Sequence, residues 1–131
     1  MTKKSGKPSK RRAQKPEEKI AKTNEELSRA KKKLQEAEAC WEDDGFIEAL
    51  KKKTPEEQEE AFRLKLEIER KILMIENAQI ASVASRVQES SQELESAMGD
   101  LGESLQTLSN VTRILNAAGS VLSIVGRILA L

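Results

Sequence analysis

The stretch "LEIERKILMIENAQIASVASRV", residues 66–87, decides how this chain folds. Leu66, Leu73, Ile80 and Val87 recur in it every seven residues, close to two turns of an α-helix, so one apolar row stays on one side. The row continues through Leu94, Leu101, Leu108, Leu115, Leu122 and Leu129 to the end of the chain. No strand-like alternation of apolar and polar residues competes with it.

A straight helix drifts by about 20° per heptad, so nine steps swing such a row by roughly 180° unless the helix supercoils, bends or breaks. The companion positions limit what the row can pair with. Three residues after each seam position come residues such as Glu69, Glu76, Ser90 and Ser104; four residues after come Arg70, Asn77, Ser91 and Gly119. Neither companion row is a run of large apolar side chains, so a strong isolated two-stranded zipper is not implied. The small residues point to close helix approach in a bundle or hairpin.

Upstream of this stretch a second seam appears. Ile20, Leu27, Leu34 and Trp41 are also seven apart, and Thr23, Ala30 and Ala37 follow the first three by three residues. Lys and Glu fill the remaining faces, which read as solvated surfaces or weak ion pairs. Pro16 suits a first helical turn, and Glu17 and Glu18 complement the helix dipole there. The pattern is interrupted around Gly45, and Thr54-Pro55-Glu56-Glu57 supplies a start signal: a capping Thr, Pro at the first helical position and Glu where a capping box needs it.

These signals predict an all-α, elongated chain resembling a helical hairpin or coiled coil. Its expected parts are a disordered basic arm (1–15), a charged amphipathic helix (16–53), the second helix of the hairpin (54–98) and an apolar amphipathic C-terminal helix (99–131). The Ile20–Trp41 seam is expected to meet Leu66, Leu73, Ile80 and Val87 in antiparallel order. At Gly99 and Gly102 the last two parts are expected to join through a bend or a continuous helix, or else by a full reversal of the chain, because each helix-interior glycine costs roughly 1 kcal/mol relative to Ala. Composition agrees: of 131 residues 34% are charged and 2% aromatic, which favours helices over a large mixed core.

Charge is distributed as a gradient. Residues 1–15 carry seven basic groups and no acid, residues 54–110 carry five basic against twelve acidic, and residues 111–131 carry only Arg113 and Arg127. The arm, with Lys3, Lys4, Lys7, Lys10, Arg11, Arg12 and Lys15, lacks the apolar side chains that repay ordering. It suits electrostatic contact with phosphates or anionic lipid headgroups, but no aromatic residue accompanies it for base stacking, so only non-specific nucleic-acid contact is supported. The N-terminus has no apolar core of a secretory signal, and the expected location is cytoplasmic or peripheral to a membrane.

Catalytic chemistry has little to work with. The chain has no His, and Cys40 stands alone beside acidic residues that raise rather than lower a thiol pKa. Glu42-Asp43-Asp44 lacks the alternating spacing of a calcium loop. A non-enzymatic protein is expected, without cofactor or metal.

The tail, "LNAAGSVLSIVGRILAL" at 115–131, carries the functional expectation. Leu101, Leu108, Leu115, Leu122 and Leu129, with Val111, Val125 and Ile128, form a broad apolar face, while Gly119, Ser123 and Gly126 permit close backbone approach. Helix one, about 35 residues long, covers only half of the stretch from Pro55 onward, which leaves this face as an association seam for self-assembly or a partner helix. The alternative is a membrane-surface or membrane-inserting helix. Only thirteen residues separate Arg113 from Arg127, short of the about 20 that a span needs.

Overall fold

The computed structural model describes residues 16–130. Every regular element among them is helical: α1 (Pro16–Glu38), a 3-10 turn (Ala39–Glu42), α2 (Asp44–Lys51), α3 (Pro55–Glu76), α4 (Ile80–Ser104) and α5 (Val111–Leu129). The protein is therefore all-α. The basic arm, residues 1–15, lies outside the described residues, as does Leu131.

Local chemistry explains most helix starts. Thr54 and Glu57 form the capping box: the Glu57 amide donates to Thr54 Oγ1 at 3.1 Å and the Thr54 amide donates to Glu57 Oε1 at 3.1 Å, with Pro55 opening α3. Asp43 Oδ1 accepts from the amides of Gly45 and Phe46 at the head of α2, and Asn110 Oδ1 accepts from the Arg113 amide at the head of α5. Side-chain caps of this kind are each worth about 1 kcal/mol.

Two breaks arise where the sequence carries weaker signals. The expected helix over 54–98 ends at Glu76, and Asn77-Ala78-Gln79 turns the chain without Gly or Pro. Asn77 Nδ2 donates to the Leu73 carbonyl at 2.9 Å, which helps satisfy the open end of α3. Conversely, Gly99 and Gly102 sit inside continuous α4, the uninterrupted alternative of the three expected there, and the chain reverses at 105–110 instead. The physical reason is burial. An unbroken helix from Pro55 would extend about 110 Å with one short partner, whereas three segments fold onto each other and cover their apolar faces.

Four long helices result, and contacts along them give their directions. Lys19 reaches Ser85, Glu26 accepts from Ser91 at 2.9 Å and Arg29 meets Glu95 at 2.5 Å, so α1 and α4 run parallel. Lys31 with Glu76 and Glu38 with Glu69 make α1 and α3 antiparallel. Arg113 with Glu103 and Arg127 with Glu93 make α4 and α5 antiparallel. Each of α1 and α5 packs against both α3 and α4, so the consecutive helices α3 and α4 lie across the bundle from one another.

The main core runs down the middle, with Leu27 and Leu34 of α1, Ile68 of α3, Leu94 and Leu101 of α4 and Val121, Val125 and Ile128 of α5. Ten of the nineteen residues of α5 are buried, making it the most apolar wall of the bundle. Fully burying one such side chain is worth about 1.5–3 kcal/mol. A smaller cluster of Cys40, Phe46, Val111 and Ile114 closes the α2 end, where the Trp41 and Phe46 rings lie 4.9 Å apart.

Candidate interaction surface

The bundle separates the predicted seam residues into two populations. Leu27, Leu34, Val87, Leu101, Leu122 and Leu129 are buried, as are Val111, Val125 and Ile128. Trp41, Ile80, Leu108 and Leu115 are half-buried. Leu66 and Leu73 instead point outward, 47% and 59% exposed, and Ile20 is 40% exposed near the start of α1.

The expected uncovered C-terminal seam is thus covered, and by the same chain: its large side chains face α1, α3 and α4. The covering helices were not apparent from the heptad row because the row belongs to different faces on different segments. In α3 the inward row is Ala61, Ile68 and Ile75, also seven apart and offset by two residues from Leu66 and Leu73. An offset of two residues is about 200° around the helix, so whichever row faces the core sends the other to solvent.

Gly119, Ser123 and Gly126 do not mediate a helix contact of the expected kind. A Cβ at Gly119 would meet nothing within 4 Å, and Ser123 is exposed. Only Gly126 has a close neighbour: a Cβ there would lie 3.4 Å from Lys71 Cε. Lys71 is itself buried, with its ammonium on Glu67 one turn earlier.

On α3 the outward residues form a built surface. Phe62, 57% exposed, joins Leu66 and Leu73 at spacings of four and seven, which places all three on one side of the helix, away from the Ala61–Ile68–Ile75 face. This row went unrecognised at Phe62; the signal available was its i, i+4 relation to Leu66. Large apolar side chains exposed in a row differ from the scattered exposed leucines of any protein surface.

Carboxylates border the row on the α1 side. Glu38 of α1 and Glu69 of α3 come together across the junction, with Glu42 close by. Partial burial and the neighbouring Glu69 carboxylate hold the Glu38 carboxyl above the usual range. Lys65, 3.3 Å from Glu69, is the nearest compensating cation.

Other polar features are modest. A cavity of about 70 Å³ between α1 and α4 is lined by Lys19, Thr23, Glu26 and Ser91, and Glu26 Oε1 has no protein partner there. Its volume suits a water or two. Cys40 is buried, and burial with the Asp43 charge pushes its thiol up to about 11. Among the described residues no group of three His, Cys, Asp or Glu side chains is arranged to hold a metal ion. By length and composition one described helix, α5, is apolar enough to cross a membrane, with a mean hydropathy of 1.2; half of that window is buried in the bundle.

No protein-family model, no curated protein and no solved structure matches the chain.

Proposed function

We propose that this chain is a non-enzymatic interaction protein, a helical bundle that presents the outer face of α3 to a partner. The observation that carries this reading is the row Phe62, Leu66 and Leu73, exposed at coiled-coil spacing on a helix whose opposite face is already spent on the core. The helix is preformed and capped, so a partner binds it without paying to order it. Self-assembly through α5, the other route to association, would require the C-terminal helix to leave its own core.

A photo-crosslinking residue placed at position 66 of the full chain tests the reading in native extract, with position 89 on exposed α4 as the control. Discrete crosslinked species at 66 and not at 89 support it. Equal yields at both positions would sink it.

A second reading rests on α5 itself, nineteen residues long and uncharged between Arg113 and Arg127. In this reading the bundle opens and the helix enters a membrane. Flotation with liposomes of anionic and neutral composition tests it: a chain that stays in the lipid-free fraction with both is not a membrane-inserting protein under those conditions.

A further inference from the structure

We infer that α2 is a lid: it opens as a unit, uncovering Cys40 and the head of α5, while the four long helices stay closed. The lid stands apart from the main core. Its one wholly buried residue, Phe46, belongs to the small cluster with Cys40, Val111 and Ile114, and its other apolar residues, Ile47, Ala49 and Leu50, are only half-buried. Its principal neighbours are the 3-10 turn and α5, so α2 closes one end of the bundle and is not a wall of it.

The polar contacts leave this segment free to swing. Asp43 Oδ1 caps α2 from its own head, and the Thr54–Glu57 box caps α3 from within α3, so opening breaks neither cap. The Lys51–Glu48 ion pair is internal to α2 as well. Among the described residues, the one side-chain hydrogen bond from a long helix to α2 is Gln58 Nε2 donating to the Lys51 carbonyl at 3.3 Å, at the last residue of the lid. Gln58 Nε2 also donates to the Lys53 carbonyl at 2.9 Å, and Lys53 Nζ donates to Thr112 Oγ1 at 2.9 Å, which pins the hinge just past α2. Closure carries a cost too: the indole N–H of Trp41, whose ring lies 4.9 Å from that of Phe46, is buried without a protein acceptor. Opening forfeits the burial of one Phe and parts of three smaller side chains, far less than is lost on unfolding the core shared by α1, α3, α4 and α5.

Cys40, the chain's one thiol, reports the opening. The test follows its reaction with a disulfide-exchange reagent in the full chain, at fixed pH across a urea series, with the rate kept proportional to reagent. Below the unfolding transition the rate should stay nearly flat, with a urea dependence under about a third of that of global unfolding followed by circular dichroism. Phe46→Ala should raise the rate in the absence of urea about tenfold or more, since the truncated side chain is what holds the lid down. Leu27→Ala truncates a buried core residue about 20 Å along α1 from Cys40. It should lower the urea midpoint yet leave the Cys40 rate within about twofold of wild type, because the closed and open forms lose the same contacts. A Cys40 rate with the full urea dependence of global unfolding would overturn the inference. So would a rate that rises in Leu27→Ala by the factor its stability falls, or one unchanged in Phe46→Ala. The wild-type urea dependence decides the question by itself if either variant fails to fold.

Discussion

Leu73 and Leu101 are beats of the same seven-residue row, yet the bundle gives them opposite fates, and truncating each to Ala measures the difference. Leu101 is wholly buried on α4 among core side chains. Removing its branched end forfeits the transfer energy of the deleted carbons and leaves a cavity, about 3 kcal/mol in total by analogy with buried leucines elsewhere. Leu73 is 59% exposed, so little of its surface changes environment on folding. Its loss should cost no more than about 0.5 kcal/mol, and the higher helix propensity of Ala offsets part of that. For a chain of this size the larger figure corresponds to a drop of roughly 10–15 °C in melting temperature. Urea unfolding followed by circular dichroism reads both variants, provided the slope against denaturant is shared with wild type. If Leu73→Ala proves as destabilising as Leu101→Ala, α3 is rotated relative to the arrangement described here and the exposed face does not exist.

Glycine substitutions report on helix contacts: Gly99→Ala and Gly119→Ala place a Cβ in open space inside helices, so together they should raise stability by up to about 2 kcal/mol, and a melting temperature below wild type would contradict that. Thr54→Ala removes the side-chain acceptor at the head of α3 and should cost about 1 kcal/mol in the same unfolding assay. The Glu57 carboxyl is held below the usual carboxylate range by the Thr54 amide and hydroxyl, so its contribution is present near neutral pH and fades as the pH falls through that lowered value; Glu57→Gln should flatten that part of the acid stability profile. The Cys40 thiol keeps its proton in the fold to about 11 while the unfolded chain releases it nearer 9, so stability should fall between those values. A disulfide-exchange reagent should modify Cys40 far more slowly than a free thiol until urea unfolds the chain; complete reaction within the mixing time would place the thiol at the surface.

Helix identity was legible because periodicity and capping are local. The Thr54–Glu57 box and the α1 core positions Leu27 and Leu34 follow from side chains within a few residues of one another. The breaks were not legible for the opposite reason. Asn77-Ala78-Gln79 has no strong breaker, and Gly99 and Gly102 are weak ones that α4 absorbs, because the burial gained by three stacked segments outweighs about 1 kcal/mol per glycine. The heptad row offers the tail only α1 as cover; two further helices, cut from the same long periodic stretch, supply the rest.

The order of residues alone determined that this chain is helical, that its apolar rows are spaced for helix packing, and that its charge runs from a basic arm to an almost uncharged end. Only the tertiary structure decided which row faces in. In α3 the rows Ala61–Ile68–Ile75 and Phe62–Leu66–Leu73 both carry helical spacing, and a sequence cannot rank them. Packing against α1 and α5 does, because a helix has one side to bury in a four-helix bundle and must leave the other to solvent or to a partner.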